Sequence, residues 1–405
     1  MKETYSRSKS VWQRMNARER KAAMAYGEKY KAFLDTARTE RLAAAEIIRR
    51  AEENGFKPVY TMKSLKAGDK VYWNQKDKSV ILAVIGKEPV HEGIKIVGSH
   101  IDSPRLDLKA NPVHEQDGIV YFRTHYYGGI KKYQWTCIPL ALIGVVFTKD
   151  GKKVDINIGL KDSDPVFYVS DLLIHMAQDQ MKKTLAEGIT GEQLQAVVGT
   201  HSEEGQTPKD AIMTLLKKEY GIEEEDFLSA EFEVVPAGKA RDYGLDRSMI
   251  MGYGHDDRVC AYPSFAAMLE IEKPQHTSVC LLVDKEEIGS VGASGMQSHF
   301  FEDSVAEIIN LLGEYSELKV RRALHNSRVL SSDVSAAFDP NYPSVMEKRN
   351  CAYFGKGLVL NKYTGARGKS GSNDANAEYI ARLRRIFDDN DVSFQTSELG
   401  KVDQG

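Results

Sequence analysis

Several features that would narrow the function at once are missing from this sequence. Basic charge is not in excess: 55 Lys and Arg stand against 58 Asp and Glu, for a net charge of −3. No basic block stands out either, so neither bulk nor local electrostatics argues for binding nucleic acid. Apolar stretches such as "RSMIMGYGH" are too short to span a bilayer, and the polar start "MKETYSRSKS" lacks the apolar centre of a signal peptide. The expectation is a cytoplasmic protein with no membrane partner.

Cysteine is scarce. Cys137, Cys260, Cys280 and Cys351 are scattered without C-x-x-C spacing, which argues against a thiolate zinc site or a disulfide framework and fits reduced core thiols. Repeats and low-complexity segments are absent. The stretch "TGARGKSGS" (364–372) contains Gly-Lys-Ser, but Tyr363 stands where a phosphate loop needs a glycine. No apolar strand runs into it, so it reads as a flexible glycine-rich loop.

What is present is ordinary bulk and an unusual arrangement of acids. The 405 residues are 42% apolar and 28% charged, enough for roughly two or three domains with a large core. Residues 10–55 carry apolar side chains at helical spacing, with Gly55 as a stop. Strand-like runs follow: "KVYWNQ", "SVILAVIG" and "IKIVGSHID", the last two nearly continuously apolar, as in strands covered on both faces. From about 110 to 240 the texture is β-rich with turn signals such as Lys149-Asp150-Gly151, apart from a charged helix near 207–228. After 250, helices and strands alternate again. The predicted fold class is α/β: a mixed sheet covered by helices, formed by residues 1–109 and 243–405, with an inserted β-rich domain at 110–242.

Four segments share one grammar, in which an apolar strand runs into acids or histidine. "IKIVGSHIDSP" delivers His100 and Asp102, and "GYGHDDRVCAYPS" delivers His255, Asp256 and Asp257. "SVCLLVDKEEIGS" delivers Asp284, Glu286 and Glu287, and "NSRVLSSDVSAAFDPNYP" delivers Asp333. Strand carboxyl ends in an α/β sheet converge on one edge, where ligands bind. Buried unpaired acids are costly, and divalent cations would compensate them. Zinc takes imidazole and carboxylate ligands, and paired metals about 3.5–4 Å apart can share a bridging carboxylate. In His-x-Asp the acid can orient the imidazole. In Glu-Glu one carboxylate can hold metal while its neighbour accepts a proton from water.

At these motifs the sequence resembles the aspartyl aminopeptidase family, cocatalytic zinc exopeptidases that act on peptide amino termini. "GSHIDSPRLDLK", "HDDRVCAYPS", "DKEEIGS" and "SSDVSAAFDPNYP" occur in the family's order and spacing. The resemblance implies a zinc-exopeptidase-like catalytic domain interrupted by an oligomerisation domain, assembling from dimers to dodecamers. It implies that His100 binds one Zn2+ with Asp102 orienting it, and that Asp256 bridges two metals. Glu286 would be the general base, Glu287 a ligand of the second metal, and Asp333 a ligand of the first. His175 matches a histidine that reaches a neighbouring subunit's active site, and Lys362 matches a lysine close to substrate. The family's last ligand is a terminal histidine, whereas here none follows His325; the chain reads as truncated, with the second metal site incomplete. Ala336 and Asp339 replace histidines of some relatives, which leaves acidic and other N-terminal residues both open as substrates. The competing expectations are another dinuclear zinc hydrolase and a non-catalytic assembly protein on the same fold.

Overall fold

The structure is a computed structural model that describes residues 10–365, 367–369, 371 and 373–403. Most of the polar start and three residues of the 364–372 loop thus lie outside the described residues. The described residues fall into two compact units, Tyr30–Asp333 and a smaller one drawn from Met1–Lys29 and Val334–Gly405.

The larger unit holds two sheets. The first has six strands in the order Lys57–Pro58, Lys70–Gln75, Ser79–Val84, Ser278–Val283, Lys95–His100 and Arg328–Ser331. The continuous apolar runs of the sequence occupy its middle, and the period of two sorts their side chains onto opposite faces. Val80, Leu82, Cys280 and Leu282 pack with Phe33, Ile47 and Phe265 from helices Ala17–Thr36, Glu40–Glu53 and His255–Glu270. Ile81, Ala83, Val279 and Leu281 pack on the other face with Val305, Ile308 and Val320 from helices Phe300–Leu311 and Glu317–Asn326. The helix Glu40–Glu53 starts where the Thr39 hydroxyl accepts from the Leu42 N–H at 3.3 Å. It ends just ahead of Gly55, whose φ of 83° is left-handed, as a stop requires.

The second sheet has seven strands, in the order Lys153–Ile158, Leu140–Phe147, Ala230–Pro236, Arg105–Gln116, Ile119–Tyr127, Ala196–Gly199 and Tyr168–Val169. All its recorded pairings are antiparallel. It accounts for the β-rich texture of the middle of the chain, although its Arg105 strand begins ahead of residue 110. The helix expected across 207–228 is shorter: Pro208–Tyr220, then a separate 3-10 stretch Glu224–Ser229. Gly221 divides them by adopting φ 71° and donating its N–H to Lys217 O, a left-handed cap that a continuous helix cannot contain.

In the smaller unit the strands Leu358–Asn361 and Phe394–Ser397 pair in parallel, with helix Ala377–Asp389 between them in sequence. The short helix Val11–Arg14 is tied there by Val11 N–H to Gly355 O at 2.6 Å and by Arg14 to the Ser393 hydroxyl at 2.7 Å. All four cysteines are free. Cys280 and Cys351 are buried and Cys260 is half-buried, but Cys137 is exposed, so the expectation of four core thiols fails there. Cys137 lies in the connection before strand Leu140–Phe147, with φ 60° and its sulfur accepting from the Tyr168 hydroxyl. Among the described residues, no helix is long and apolar enough to cross a membrane.

Candidate metal centre

His100 is the last residue of its strand, and the strands on either side run parallel to it. Register places Val283 opposite His100 and Ser331 opposite Gly98. The residues that follow, Asp284 to Glu287 on one side and Asp333 on the other, therefore emerge at the same sheet edge. Asp256 arrives by another route. The strand before it, Met249–Met251, belongs to a two-stranded ribbon with Arg241–Tyr243, and Asp256 sits at a non-helical kink (φ −84°, ψ 104°) in the first turn of His255–Glu270. The expectation that four sheet strands deliver the acids is thus corrected to three.

The His100 ring is buried, and its two nitrogens face different neighbours. Nδ1 lies 3.1 Å from Asp102 O and 3.2 Å from Asp102 Oδ1, so it carries the proton and donates it there. Nε2 faces carboxylates: Asp256 Oδ1 at 3.0 Å, Glu286 Oε2 at 3.8 Å and Asp333 Oδ1 at 3.8 Å. The ligand atoms of His100, Asp256 and Asp333 all lie within 4.8 Å of one another. A zinc ion with bonds of about 2.0–2.2 Å holds its donors about 3.3–3.6 Å apart, so slight side-chain movement closes such a set.

Asp102, fully buried, ties these parts together. Besides His100, it accepts from the Tyr127 hydroxyl at 2.8 Å and from the N–H groups of Glu286 and Glu287, both at 3.2 Å. Lys285 makes this possible with a left-handed φ of 73°, which turns the two following N–H groups towards one acceptor. One carboxylate therefore fixes both the imidazole and the Glu-Glu turn.

The electrostatics fit a cation. Burial opposes the charged form of His100, but the hydrogen bonds of Asp102 and Asp256 and the charges of Asp102 and Asp257 outweigh it and raise its pKa to about 11. Burial also works against the Asp102 carboxylate, yet His100, Tyr127 and the Glu287 N–H hold it below the usual range. Glu287 is pushed up to about 7, by burial first and then by the charge of Asp256. Burial raises Glu286 as well, with Asp333, Asp102 and Asp256 adding to it against His100. Asp257 rises to about 7 and Asp284 to about 6, mainly through burial. Glu287 Oε1 is buried with no hydrogen-bond partner. Unpaired acids of this kind are what a dication would stabilise.

Beside Asp256 is a cavity of about 380 Å³, whose lining includes Ser103, Lys131, Gln134, Trp135 and Tyr253.

The model of the M18 peptidases, described as aminopeptidase I zinc metalloprotease, matches residues 33–405. The chain belongs to the M18 family. It is a metal-dependent aminopeptidase by that membership. A curated probable M18 family aminopeptidase 1 of Clostridium acetobutylicum is 56% identical over 405 residues, covering 98% of this chain and 87% of that protein. The counterpart of Thermotoga maritima is 41% identical over 401 residues, again 98% and 87%. Among solved structures, an M18 aminopeptidase of Thermotoga maritima aligns with a TM-score of 0.94 at 40% identity, covering 98% of this chain and 88% of that one. Aminopeptidase I of Clostridium acetobutylicum aligns with 0.92 at 52%, covering 100% and 89%. The α/β fold expected from sequence is the fold of these M18 enzymes.

In this M18 aminopeptidase, His100, Asp102, Asp256, Glu286 and Asp333 come together around one imidazole. Glu287 stands outside the three-ligand group but beside it, its carboxylate bordered by Gly128. His255, delivered by the same segment as Asp256, is turned away: Nε2 donates to Ile250 O at 3.0 Å and Nδ1 accepts from the Tyr30 hydroxyl at 2.9 Å. Both its nitrogens are used. His175 is exposed on the turn Ile174–Met176, and Lys362 is exposed just past the strand Leu358–Asn361 in the smaller unit. Sequence reasoning missed Tyr127 and gave Arg258 no role. Arg258, fully buried, donates to Asp102 O and Ala37 O, both at 3.1 Å, and to the Ser103 hydroxyl, which in turn bonds Asp256 O. A charged residue with no exposure is a signal only once burial is known.

Proposed function

We propose that this protein removes the N-terminal residue of peptides with zinc held by His100, Asp256 and Asp333, and a second metal held between Asp256 and Glu287. The observation that carries the reading is the division of labour at His100: one ring nitrogen is fixed by Asp102 and the other is aimed at three carboxylates. Zinc at this place supplies a Lewis acid that polarises the scissile carbonyl and acidifies water. The chain's own residues do the rest. Glu286, with its raised pKa, takes the proton of the attacking water and passes it to the leaving amine. Asp102 keeps the imidazole in the tautomer that leaves Nε2 free. The cavity beside Asp256 receives the side chain of the N-terminal residue. Lys131 and Gln134 offer an acidic one a partner there.

Residues 110–242 are proposed as the oligomerisation domain. Around His175, Leu172, Leu173, Ile174 and Met176 are all more than half exposed, at 51%, 67%, 67% and 65%, an apolar surface suited to a second copy. On the resemblance, His175 serves a neighbouring subunit's site and Lys362 contacts substrate. Free cysteines accord with a cytoplasmic location.

The test is zinc-dependent release of N-terminal residues from a peptide panel, compared with Glu286→Gln. Loss of at least about 100-fold in kcat with zinc binding retained is expected of a general base. Full activity in the variant would remove Glu286 from that role.

A further inference from the structure

Among the described residues, the Asp102 carboxylate accepts one hydrogen bond from outside the sheet edge that carries the centre. Tyr127 is the last residue of the strand Ile119–Tyr127 in the seven-stranded sheet, and its hydroxyl donates to Asp102 Oδ2 at 2.8 Å. The residue is only 7% exposed, so water has little access to compete for that contact. Its cross-strand partner is Arg105, whose guanidinium lies 3.7 Å over the ring centroid. Arg105 is held in turn by Asp107 at 2.8 Å, Glu40 at 3.3 Å and Glu233 at 3.4 Å. The ring is therefore clamped on one face by a cation that three acidic side chains hold, while its hydroxyl points at the acid behind the metal-facing histidine.

The carboxylate of Asp102 has two oxygens with different duties. Oδ1 accepts from His100 and the Glu286 N–H, and Oδ2 accepts from Tyr127 and the Glu287 N–H. Rotation of the carboxylate plane would disturb both pairs at once. The Tyr127 hydroxyl is the side-chain donor that opposes such rotation from the Oδ2 side.

We infer that Tyr127 is a positioning residue of the metal centre, setting the plane of Asp102 and through it the direction of His100 and the Glu286–Glu287 turn. It acts through Asp102 and takes no part as a ligand. The second sheet thereby has a hand in the chemistry of the first. The inference rests on His100 being a zinc ligand.

The test compares the parent protein with Tyr127→Phe and with 4-aminophenylalanine at position 127, which keeps the ring and replaces the hydroxyl by another donor. Zinc affinity is measured by calorimetry on metal-free protein, alongside its melting temperature and steady-state kinetics. Tyr127→Phe is expected to weaken zinc about tenfold, the lower end for outer partners of metal ligands, and to lower kcat with KM little changed. The amino variant is expected to stay within about threefold of the parent. Unchanged zinc affinity in Tyr127→Phe, with or without a lower melting temperature, would overturn the inference. So would an amino variant that loses as much affinity as Tyr127→Phe. If Tyr127→Phe does not fold, the amino variant decides alone: affinity within threefold supports the inference and a tenfold loss refutes it. A parent that binds no zinc at His100 would instead refute the reading of the centre itself.

Discussion

Replacing Asp102 by asparagine probes the joint between histidine and glutamates with almost no change of shape. The carboxylate is fully buried and accepts from four donors, two on each oxygen. An asparagine offers one acceptor oxygen and turns an NH2 towards the other two donors. If its oxygen faces His100 and Glu286, the NH2 meets the Glu287 N–H and Tyr127, whose hydroxyl can rotate to accept while the backbone N–H cannot. If it faces the other way, the NH2 meets the Nδ1 proton of His100, and the tautomer that frees Nε2 loses its support. Either arrangement leaves at least one backbone N–H without its acceptor and the remaining donors with a neutral one, and a bond to a charged acceptor is worth about 1.5–3 kcal/mol. Outer partners of metal ligands change affinity by about 10–100-fold, so zinc should bind Asp102→Asn weaker by that factor, with kcat/KM reduced at least as much. Calorimetric zinc titration of metal-free protein, paired with peptide hydrolysis, reads both. Affinity and kcat/KM within twofold of the parent would show that Asp102 neither orients His100 nor holds the Glu-Glu turn.

The pH dependence has a defined sign. Glu287 and Asp257, each raised to about 7, and Asp284, raised to about 6, bind protons in the folded state that the unfolded chain has already released. Their stabilising share is therefore full near pH 4 and lost as pH rises through 6–7, and that of His100, raised to about 11, is lost from pH 6.5 upward. Metal-free protein should melt at progressively lower temperature from pH 5 to 8, while the increment given by zinc grows, because zinc takes deprotonated ligands. Metal-free melting temperatures that rise across this range would contradict the assignment of these acids. Gly128→Ala is the steric counterpart. With φ at 75°, an added Cβ would lie 3.2 Å from Glu287 Oε2. A left-handed alanine costs about 1–2 kcal/mol, so lower stability together with weaker binding of the second metal is expected by melting and zinc stoichiometry. An alanine variant with parental stoichiometry would place Glu287 outside the metal shell.

The sequence disclosed what local pattern encodes. "SVILAVIG" and "IKIVGSHID" read as doubly covered strands because they are nearly continuously apolar, and the strands they form, Ser79–Val84 and Lys95–His100, both stand inside the six-stranded sheet. His100, Glu286 and Asp333 could be grouped because each ends or follows such a strand and parallel register does the rest. Asp256 was grouped correctly for the wrong reason, since its ribbon is not part of that sheet. His255 shows the limit of motif proximity: one residue from Asp256, it is satisfied by Tyr30 and a backbone carbonyl. Tyr127 and Arg258 act through contacts between segments far apart in the chain, and no periodicity marks a tyrosine that will meet a particular aspartate. The break at Gly221 was visible as a glycine, but the acidic run after it masked the end of the helix.

The central claim is that a dication sits where Nε2 of His100 faces Asp256 and Asp333. Anomalous diffraction at the zinc absorption edge from zinc-loaded crystals tests it most directly. The account predicts a strong peak within bonding distance of His100 Nε2 and of carboxylate oxygens from both aspartates. Zinc bound elsewhere, with His100 still hydrogen-bonded to Asp256 and no ion between them, would contradict it.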